Sequence, residues 1–354
     1  MQKIEHKFPF KWNLKDGYQY TKNGYKVFGT FVCGGGSTMG YKLSGFEHIG
    51  GLELTEHYSK IYKVNHNPKY FYTEDIREWN YRNDLPDELF ELDLLDGSPP
   101  CASFSTAGAR ERKWGKEKVY EGHIQKTDDL VFEYVKTINK LKPKTFLMEN
   151  VSGLIKGNAK LYVKQIFRDI DAIGYTAQIF SINAASLGVP QIRQRVFIIG
   201  HKKEYNLSKL KLDFNEPPIS FEYATKEFWQ MGGKSIERFA IYKQWKEINY
   251  PKENSHIKRF SLVRPFLNKP CNTLTEGASN NGAASVCHPL QPRKLNKYES
   301  CVLQSYPLDY NFLDQNPLSC IGRSVPPVMT AQIANQIKIQ WLDKINTGLS
   351  EKAH

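Results

Sequence analysis

The sequence predicts an α/β protein built on a doubly wound, mostly parallel sheet, with a smaller and irregular second domain. Three observations predict it. Short β-rich runs alternate with amphipathic helical runs through the first 200 residues. A glycine-rich turn separates the first strand from the first helix, as in folds that bind a ligand at strand ends. That rhythm stops near His201, where the text turns basic and rich in Pro, Gly and Asn.

The elements follow in order. Residues 1–24 carry no pattern and read as an N-terminal extension. Val27 to Cys33 is a β-rich run ending in Gly34-Gly35-Gly36, with Ser37 as the expected N-cap of a short helix that stops near Gly45. His48 to Leu54 reads as a second strand. A helix from about Thr55 then buries Tyr58, Ile61 and Tyr62, and a third strand ends at Asp75-Ile76. Leu92 to Leu95 is a short apolar strand stopped by Asp96-Gly97-Ser98-Pro99-Pro100. Leu130, Tyr134, Ile138 and Leu141 recur at helical spacing before the strand Phe146-Leu147-Met148. Val163, Ile166, Phe167, Ile170 and Ile173 mark another amphipathic helix, and Thr176 to Ile182 and Val196 to Gly200 are strands again. Past the irregular stretch, Met329, Ile333, Ile337 and Trp341 set a final helix behind Pro326-Pro327, a residue pair suited to a helix start.

Composition narrows the class. Of 354 residues, 40% are hydrophobic and 24% charged, the balance of a globular protein with a packed core. No apolar run approaches the roughly 20 residues of a membrane helix, and the N-terminus lacks the apolar stretch of a secretory signal. A cytoplasmic location follows as an expectation. The six cysteines form no CxxC pair and match no zinc-finger spacing, so no metal site is expected. The net charge is +12, and His201 to Ser300 holds 17 basic against 10 acidic residues, more than half of the excess. Such a basic region suits a polyanion. Phe221, Tyr223, Phe228, Trp229, Phe239, Tyr242, Trp245 and Tyr250 interleave with it, which describes a nucleic-acid surface or a small aromatic core equally well.

Four motifs carry chemistry. FVCGGGSTMG is a glycine turn, although Tyr41 stands where a P-loop needs Lys and Met39 where GxGxxG needs Gly. Glu53 ends the next strand, where a carboxylate can hold ribose hydroxyls, and Asp75-Ile76 ends the third, where the acid would lie near the adenine amino group. In DGSPPC, two prolines fix the backbone just before Cys101 at a strand's carboxyl end, a better place for a nucleophile than for a core thiol. MENV sets Glu149 at the end of another strand. QIRQR carries Arg193 and Arg195, which on extended chain point the same way and so can face one anion or base.

The set, in this order, resembles the DNA (cytosine-5) methyltransferases over nearly the whole chain. FVCGGGSTMGYKLSGFE is similar to their S-adenosylmethionine-binding motif, SPPCASFS to their PC motif, MENV to ENV, and QIRQR to QxRxR. RKLNKYESCVLQSYP (Arg293 to Pro307) is similar to RxLxxxExxRLQxFP, and GRSVPPVMTAQIA (Gly322 to Ala334) to the closing GNSVPP segment. Four positions depart: Cys33 replaces a glycine, Ala102 a Gln, Val302 an Arg, and Arg323 an Asn.

The resemblance implies a Rossmann-like, S-adenosylmethionine-dependent catalytic domain at 25–200 and a target-recognition domain at 201–291. Residues 292–354 then return to the catalytic domain. It implies Cys101, Glu149, Arg193 and Arg195 as catalytic residues. Phe31, Gly35, Gly36, Glu53, Leu54, Asp75, Ile76, Pro100 and Ser324 would bind S-adenosyl-L-methionine, and Ser105, Arg110, Arg112 and Gln191 would contact DNA. Only a thiolate attacks, so the site must favour the Cys101 anion. Its addition to C6 makes C5 of cytosine nucleophilic toward the sulfonium methyl group, while Glu149 neutralises the ring at N3. The cytosine must first flip out of the duplex, and the basic stretch from Thr106 to Val119 is placed to close over it. The expected partner is double-stranded DNA, met by a monomer working beside a cognate restriction endonuclease. An RNA cytosine-5 methyltransferase and a catalytically silent DNA-binding homologue share these motifs. The missing Cys-Phe-Thr signature weighs against the first, and the intact Cys101, Glu149 and Arg195 against the second.

Overall fold

Alternation along each strand sends neighbouring apolar side chains to opposite faces of the sheet. The computed structural model describes residues 5–16, 18, 21–100, 118–120, 123–125, 129–156, 159–248, 250, 262–276 and 285–348. Its main sheet has seven strands: β1 (Lys26–Thr30), β2 (Glu47–Glu53), β3 (Tyr70–Thr73), β4 (Leu94–Gly97), β5 (Thr145–Val151), β6 (Tyr175–Asn183) and β7 (Gln194–Lys202). They stand in the order β3-β2-β1-β4-β5-β7-β6. The first five run parallel, and β7 runs antiparallel to both of its neighbours. The strand order reverses between β1 and β4, so their carboxyl ends open the crevice where such sheets bind ligands.

Both faces are covered. Phe28, Leu95, Phe146 and Ile198 point into a core closed by three helices, α3 (Ile76–Trp79), α4 (Leu130–Leu141) and α5 (Ala159–Ala172). Val27, Leu94, Leu147 and Phe197, one residue away in each strand, point to the opposite core. There α1 (Gly36–Leu43) packs against α10 (Pro327–Ile337), which buries Met329, Ile333 and Ile337, with Trp341 one π turn beyond. Glycines let α1 and α10 approach. A Cβ at Gly40 would sit 2.4 Å from the Pro327 carbonyl oxygen. No helix of the described residues is long and apolar enough to cross a membrane.

Four sequence expectations need correction here. β3 ends at Thr73, short of Asp75-Ile76, and β4 runs from Leu94 through Asp96 and Gly97, which continue the ladder to β1 and β5 instead of stopping the strand. β1 ends at Thr30 rather than Cys33, because Phe31 and Cys33 take left-handed backbone conformations that break the strand. Ser37 is not the N-cap of α1. Gly35 holds that place with φ 76°, and Ser37 lies within the first turn with its hydroxyl turned to Asp96. Between these elements, α2 (Glu56–His66) starts after Thr55 and buries Tyr58, Ile61 and Tyr62, as its spacing requires.

Beyond β7 the chain first returns to the sheet. Leu210 is buried against the α10 side together with Leu207, Leu212 and Phe214, and Trp341 Nε1 donates to the Ser208 carbonyl at 2.9 Å. A separate small core then gathers Ile236, Ile248, Leu262 and Cys287, with Phe239, Tyr242, Trp245 and Tyr250 packed around it. The Arg264 guanidinium stacks on Trp245 and Tyr250, 3.9 and 4.6 Å from the ring centres, and bonds the Trp245 and Pro289 carbonyls. Much of the aromatic interleaving is therefore core, while Tyr223 stays exposed. Three helices lead from this region back to α10: α6 (Phe221–Thr225) and α7 (Ile241–Glu247), then α8 (Lys297–Leu303), whose buried Arg293–Glu299 pair makes two bonds of 2.8 Å. A short helix α9 (Pro317–Ile321) completes the set. The featureless N-terminal extension is tied down as a strap. Phe8 is buried, His6 pairs with Glu216 at 2.9 Å, and Trp12 Nε1 donates to the Ser305 carbonyl.

Candidate active site

The glycine turn shapes one wall of the crevice. Phe31, Cys33 and Gly35 all have positive φ, so the backbone between β1 and α1 coils tightly at the carboxyl end of β1. A Cβ on Gly35 would lie 2.2 Å from His66 Nε2, and one on Gly36 would lie 2.5 Å from the Val325 carbonyl oxygen. Only glycine fits at either place. The second contact also seats the closing GRSVPP segment against the turn, with Ser324 buried beside Gly36.

Glu53 ends β2 next to this turn. Its carboxylate accepts from Cys33 N at 2.8 Å and from both the amide and the hydroxyl of Thr55. That bond holds the backbone at Cys33, the position where the resemblance expects glycine. Leu54 is half-buried beside it. Asp75 stands at the carboxyl end of β3 but caps α3, accepting from Arg77 N and pairing with the Arg77 guanidinium at 3.1 Å. The Ile76 side chain enters the core rather than the crevice.

The second wall comes from β4, β5 and β7. Glu149 lies at the carboxyl end of β5, and Arg195 on β7 donates through Nε to Glu149 Oε1 at 2.9 Å. Strand register explains the meeting: Glu149 pairs with Phe197 and Val151 with Arg195 across the antiparallel β5–β7 ladder. Burial raises the Glu149 carboxyl above its ordinary value, while Arg195, Arg193 and a hydrogen bond with Ser98 pull it down. Asn150, the next residue, donates to the Pro99 carbonyl at 3.1 Å and so pins the Ser98-Pro99-Pro100 loop. Sequence reading assigned Asn150 no task, although it lies inside the ENV motif. Pro100 is half-buried at the edge of the described structure. Cys101, Ser105, Arg110 and Arg112 lie outside the described residues, as does most of Thr106 to Val119.

Two expectations fail on geometry. Arg193 does not face an anion together with Arg195. It is fully buried, and its guanidinium donates to the carbonyls of Leu274, Gly322 and Ser324 at 2.8 to 2.9 Å. Gln191 is not a DNA contact. It is likewise buried, donating to the Leu303 carbonyl and to Gln304 Oε1, and accepting from Leu274 N. Arg193 clamps the closing segment onto the catalytic sheet, and Gln191 ties the end of α8 and Leu274 to the same place.

The departures have structural partners. Arg323 ion-pairs with Glu276 and lies 5.1 Å from the ring centre of Tyr58. Val302, where the resemblance expects Arg, is buried in the core shared by α8, Tyr58 and Tyr306.

Left-handed turn, strand-end acid and tight α1 entry fit a small ligand with a ribose and a charged tail, and Glu149–Arg195 fits a polar ring held edge-on. The C-5 cytosine-specific DNA methylase family model matches residues 25–238 and 216–339. The chain is 26% identical over 389 residues to the Type II methyltransferase M.DdeI of Desulfomicrobium norvegicum, covering 90% of each protein. It is 31% identical over 211 residues to the Type II methyltransferase M.FnuDI of Fusobacterium nucleatum, covering 60% of this chain and 57% of that one. In fold it is similar to a DNA modification methyltransferase encoded within an E. coli prophage, with a TM-score of 0.66 at 20% identity over 90% and 99% of the two chains. S. pombe Dnmt2 gives a TM-score of 0.60 at 15% identity, over 90% of this chain and 99% of that one.

Proposed function

The chain belongs to the C-5 cytosine-specific DNA methylase family, and from that premise we propose that it is the modification enzyme of a Type II restriction–modification system. It methylates cytosine in DNA and takes S-adenosyl-L-methionine as its cofactor, which supplies an electrophilic methyl group at its sulfonium. The observation that carries the catalytic reading is the buried Glu149–Arg195 pair at 2.9 Å, beside the strand whose end leads into Pro99-Pro100-Cys101.

In this reading Cys101 adds as a thiolate to C6 of a flipped cytosine. Glu149, whose carboxyl burial raises, shares a proton with N3 during the attack, so the ring gains electrons without building full negative charge. Arg195 fixes the Glu149 carboxylate through Nε and bonds the Gln194 carbonyl through Nη1 at 2.8 Å, which leaves Nη2 as the group for the ring oxygen. Phe31, the glycine turn, Glu53 and Ser324 hold the cofactor. The glycine requirement at 35 and 36 and the strand-end acid support that assignment.

The recognition domain is the part of the basic region beyond Phe214, organised around the Ile236, Ile248, Leu262 and Cys287 core. The catalytic domain runs from residue 25 past the expected boundary at 200, through the end of β7 and Leu207 to Phe214, and residues 292–354 return to it. The protein acts as a monomer in the cytoplasm of a bacterium or a phage-infected cell, with a cognate endonuclease.

Bisulfite sequencing of DNA from cells that express the protein tests the activity. A single recurrent sequence around every protected cytosine is the expected result, and unmodified DNA refutes it. Duplex DNA with 5-fluorocytosine at the target should trap the wild type as a denaturant-resistant adduct and should not trap Cys101→Ser, since elimination needs a C5 proton that fluorine replaces. An adduct with the serine variant would move the nucleophile elsewhere.

A further inference from the structure

We propose that Asp96 is a positioning residue that locks the wall carrying the methyl donor to the strand carrying the nucleophile. The proposal rests on the catalytic reading above. Asp96 is 1% exposed, at the carboxyl end of β4. Five residues further along the chain stands Cys101.

The geometry joins three elements at this one side chain. Ser37 donates to Asp96 Oδ2 at 2.6 Å, and Tyr41 donates to Oδ1 at 3.0 Å. Ser37 and Tyr41 are four apart on α1 and so share one face of it. That helix opens at Gly36, directly after the turn that forms the donor wall. The Asp96 carbonyl also accepts from Thr30 Oγ1 at 3.2 Å, which ties in the last residue of β1. The ends of β1 and β4 and the first turns of α1 are thus bolted together at the point where the sheet order reverses.

An acid is an expensive way to fill this space. Among the described residues its side-chain partners are two hydroxyls and no cation, and a buried carboxyl without a cation costs more than an apolar side chain of similar size. The groups around it are Ser37 and Tyr41 on α1, Tyr62 on α2, Tyr134 on α4 and Glu149 on β5. None of these is basic. What the side chain offers, and an apolar one does not, is two hydrogen-bonding atoms on one rigid fork, which fix both the height and the rotation of α1 against β4. Displacing a reacting group by 1 Å costs about a hundredfold in rate, so a fastening between donor wall and nucleophile strand acts on methyl transfer itself.

The test separates attack from transfer. Without cofactor, addition of Cys101 to C6 lets C5 take a solvent proton. Loss of the original C5 proton and elimination then return cytosine with its C5 hydrogen exchanged. Exchange therefore reports the nucleophile alone, and single-turnover methylation reports nucleophile and donor together. Asp96→Asn keeps two hydrogen-bonding groups, and Asp96→Leu keeps only the volume.

The expected result is that Asp96→Asn stays within about threefold of wild type in both assays. Asp96→Leu should keep exchange within about threefold yet lose transfer by tenfold or more. Calorimetric cofactor affinity should change far less than the transfer rate. If Asp96→Leu does not fold, the double variant Ser37→Ala with Tyr41→Phe removes both donors and should show the same drop in the ratio of transfer to exchange. An unchanged ratio in whichever of the two folds overturns the proposal. Absence of exchange in the wild type would instead overturn the assignment of the nucleophile.

Discussion

Arg193 Nη2 donates to the Ser324 carbonyl at 2.9 Å, across 131 residues of sequence. Two further carbonyls, of Leu274 and Gly322, complete its buried set of acceptors. Arg195, two residues later, bonds Glu149 instead. One motif therefore supplies a clamp and a site residue, and the two should fail differently when replaced.

Arg193→Lys removes the planar fork and leaves buried carbonyls short of donors, at about 1–3 kcal/mol for each unsatisfied group. The variant should melt several degrees lower and bind cofactor more weakly, because Ser324 abuts Gly36. Arg195→Lys should melt near the wild type and lose turnover. Thermal melts paired with calorimetry check this, and equal melting losses in the two variants would refute the division of labour.

Gly36→Ala places a methyl group 2.5 Å from the Val325 carbonyl oxygen and 2.7 Å from Ser324 Cβ. Gly40→Ala meets the Pro327 carbonyl oxygen at 2.4 Å. Each should cost about 1–3 kcal/mol by forcing α1 and α10 apart. In Gly36→Ala cofactor affinity should fall as well, whereas Gly40→Ala, a turn further along, should lose stability first. Denaturant titration and calorimetry measure the two effects.

Asp96 gives stability a pH dependence of known sign. Burial raises its carboxyl from 3.8 to about 7, with Glu149 adding to the shift and the Ser37 and Tyr41 hydroxyls opposing it. A raised folded-state value means that its contribution is fully present below about 3.8 and is lost as pH rises through about 7. Asp96→Asn does not titrate. The melting temperature of the wild type relative to this variant should therefore decline between pH 4 and pH 7 and level off above. A difference that stays constant across that range would contradict the burial of the charge.

On the proposed mechanism Glu149→Gln removes the proton shared with the ring, and general acid–base groups of this kind contribute about 10²–10⁴-fold. Turnover should fall by that order while DNA binding persists. In the wild type, activity should fall as rising pH ionises Glu149. Arg195 and Arg193 lower its carboxyl, so Arg195→Ala, although slow, should shift that descending limb upward. Single-turnover rates across pH read both effects, and a limb that stays put would detach Glu149 from the profile.

DNA affinity should drop steeply with salt, with a log–log slope near −0.9 for each phosphate neutralised. Replacing Lys243 or Lys246 with Gln should lower that slope by about one unit each if the basic face beside the small aromatic core lies on the backbone. Fluorescence anisotropy over a range of salt concentrations decides it, and an unchanged slope in both variants would remove that face from the DNA.

The sheet, the order of its helices and the glycine turn were legible in the sequence because they depend on local periodicity. Val27 and Phe28 alternate between layers, and Leu130, Tyr134, Ile138 and Leu141 repeat at the helical period whatever lies elsewhere. The place of Glu149 at a strand end was legible for the same reason. Its union with Arg195 was not, because it depends on the antiparallel register of β5 and β7. The expectation for Arg193 failed because alternation holds only within a strand. Arg193 lies one residue before β7 begins, and its acceptors come from 81 to 131 residues away. Ser37 shows the same limit at a helix start. Its chemistry suits an N-cap, but the left-handed Gly35 takes that place and a buried acid from β4 claims the hydroxyl. The N-terminal strap, the Gln191 clamp and the task of Asp96 are tertiary decisions in the same sense. Each depends on which polar groups burial leaves facing one another, and a side chain's own residue type does not contain that information.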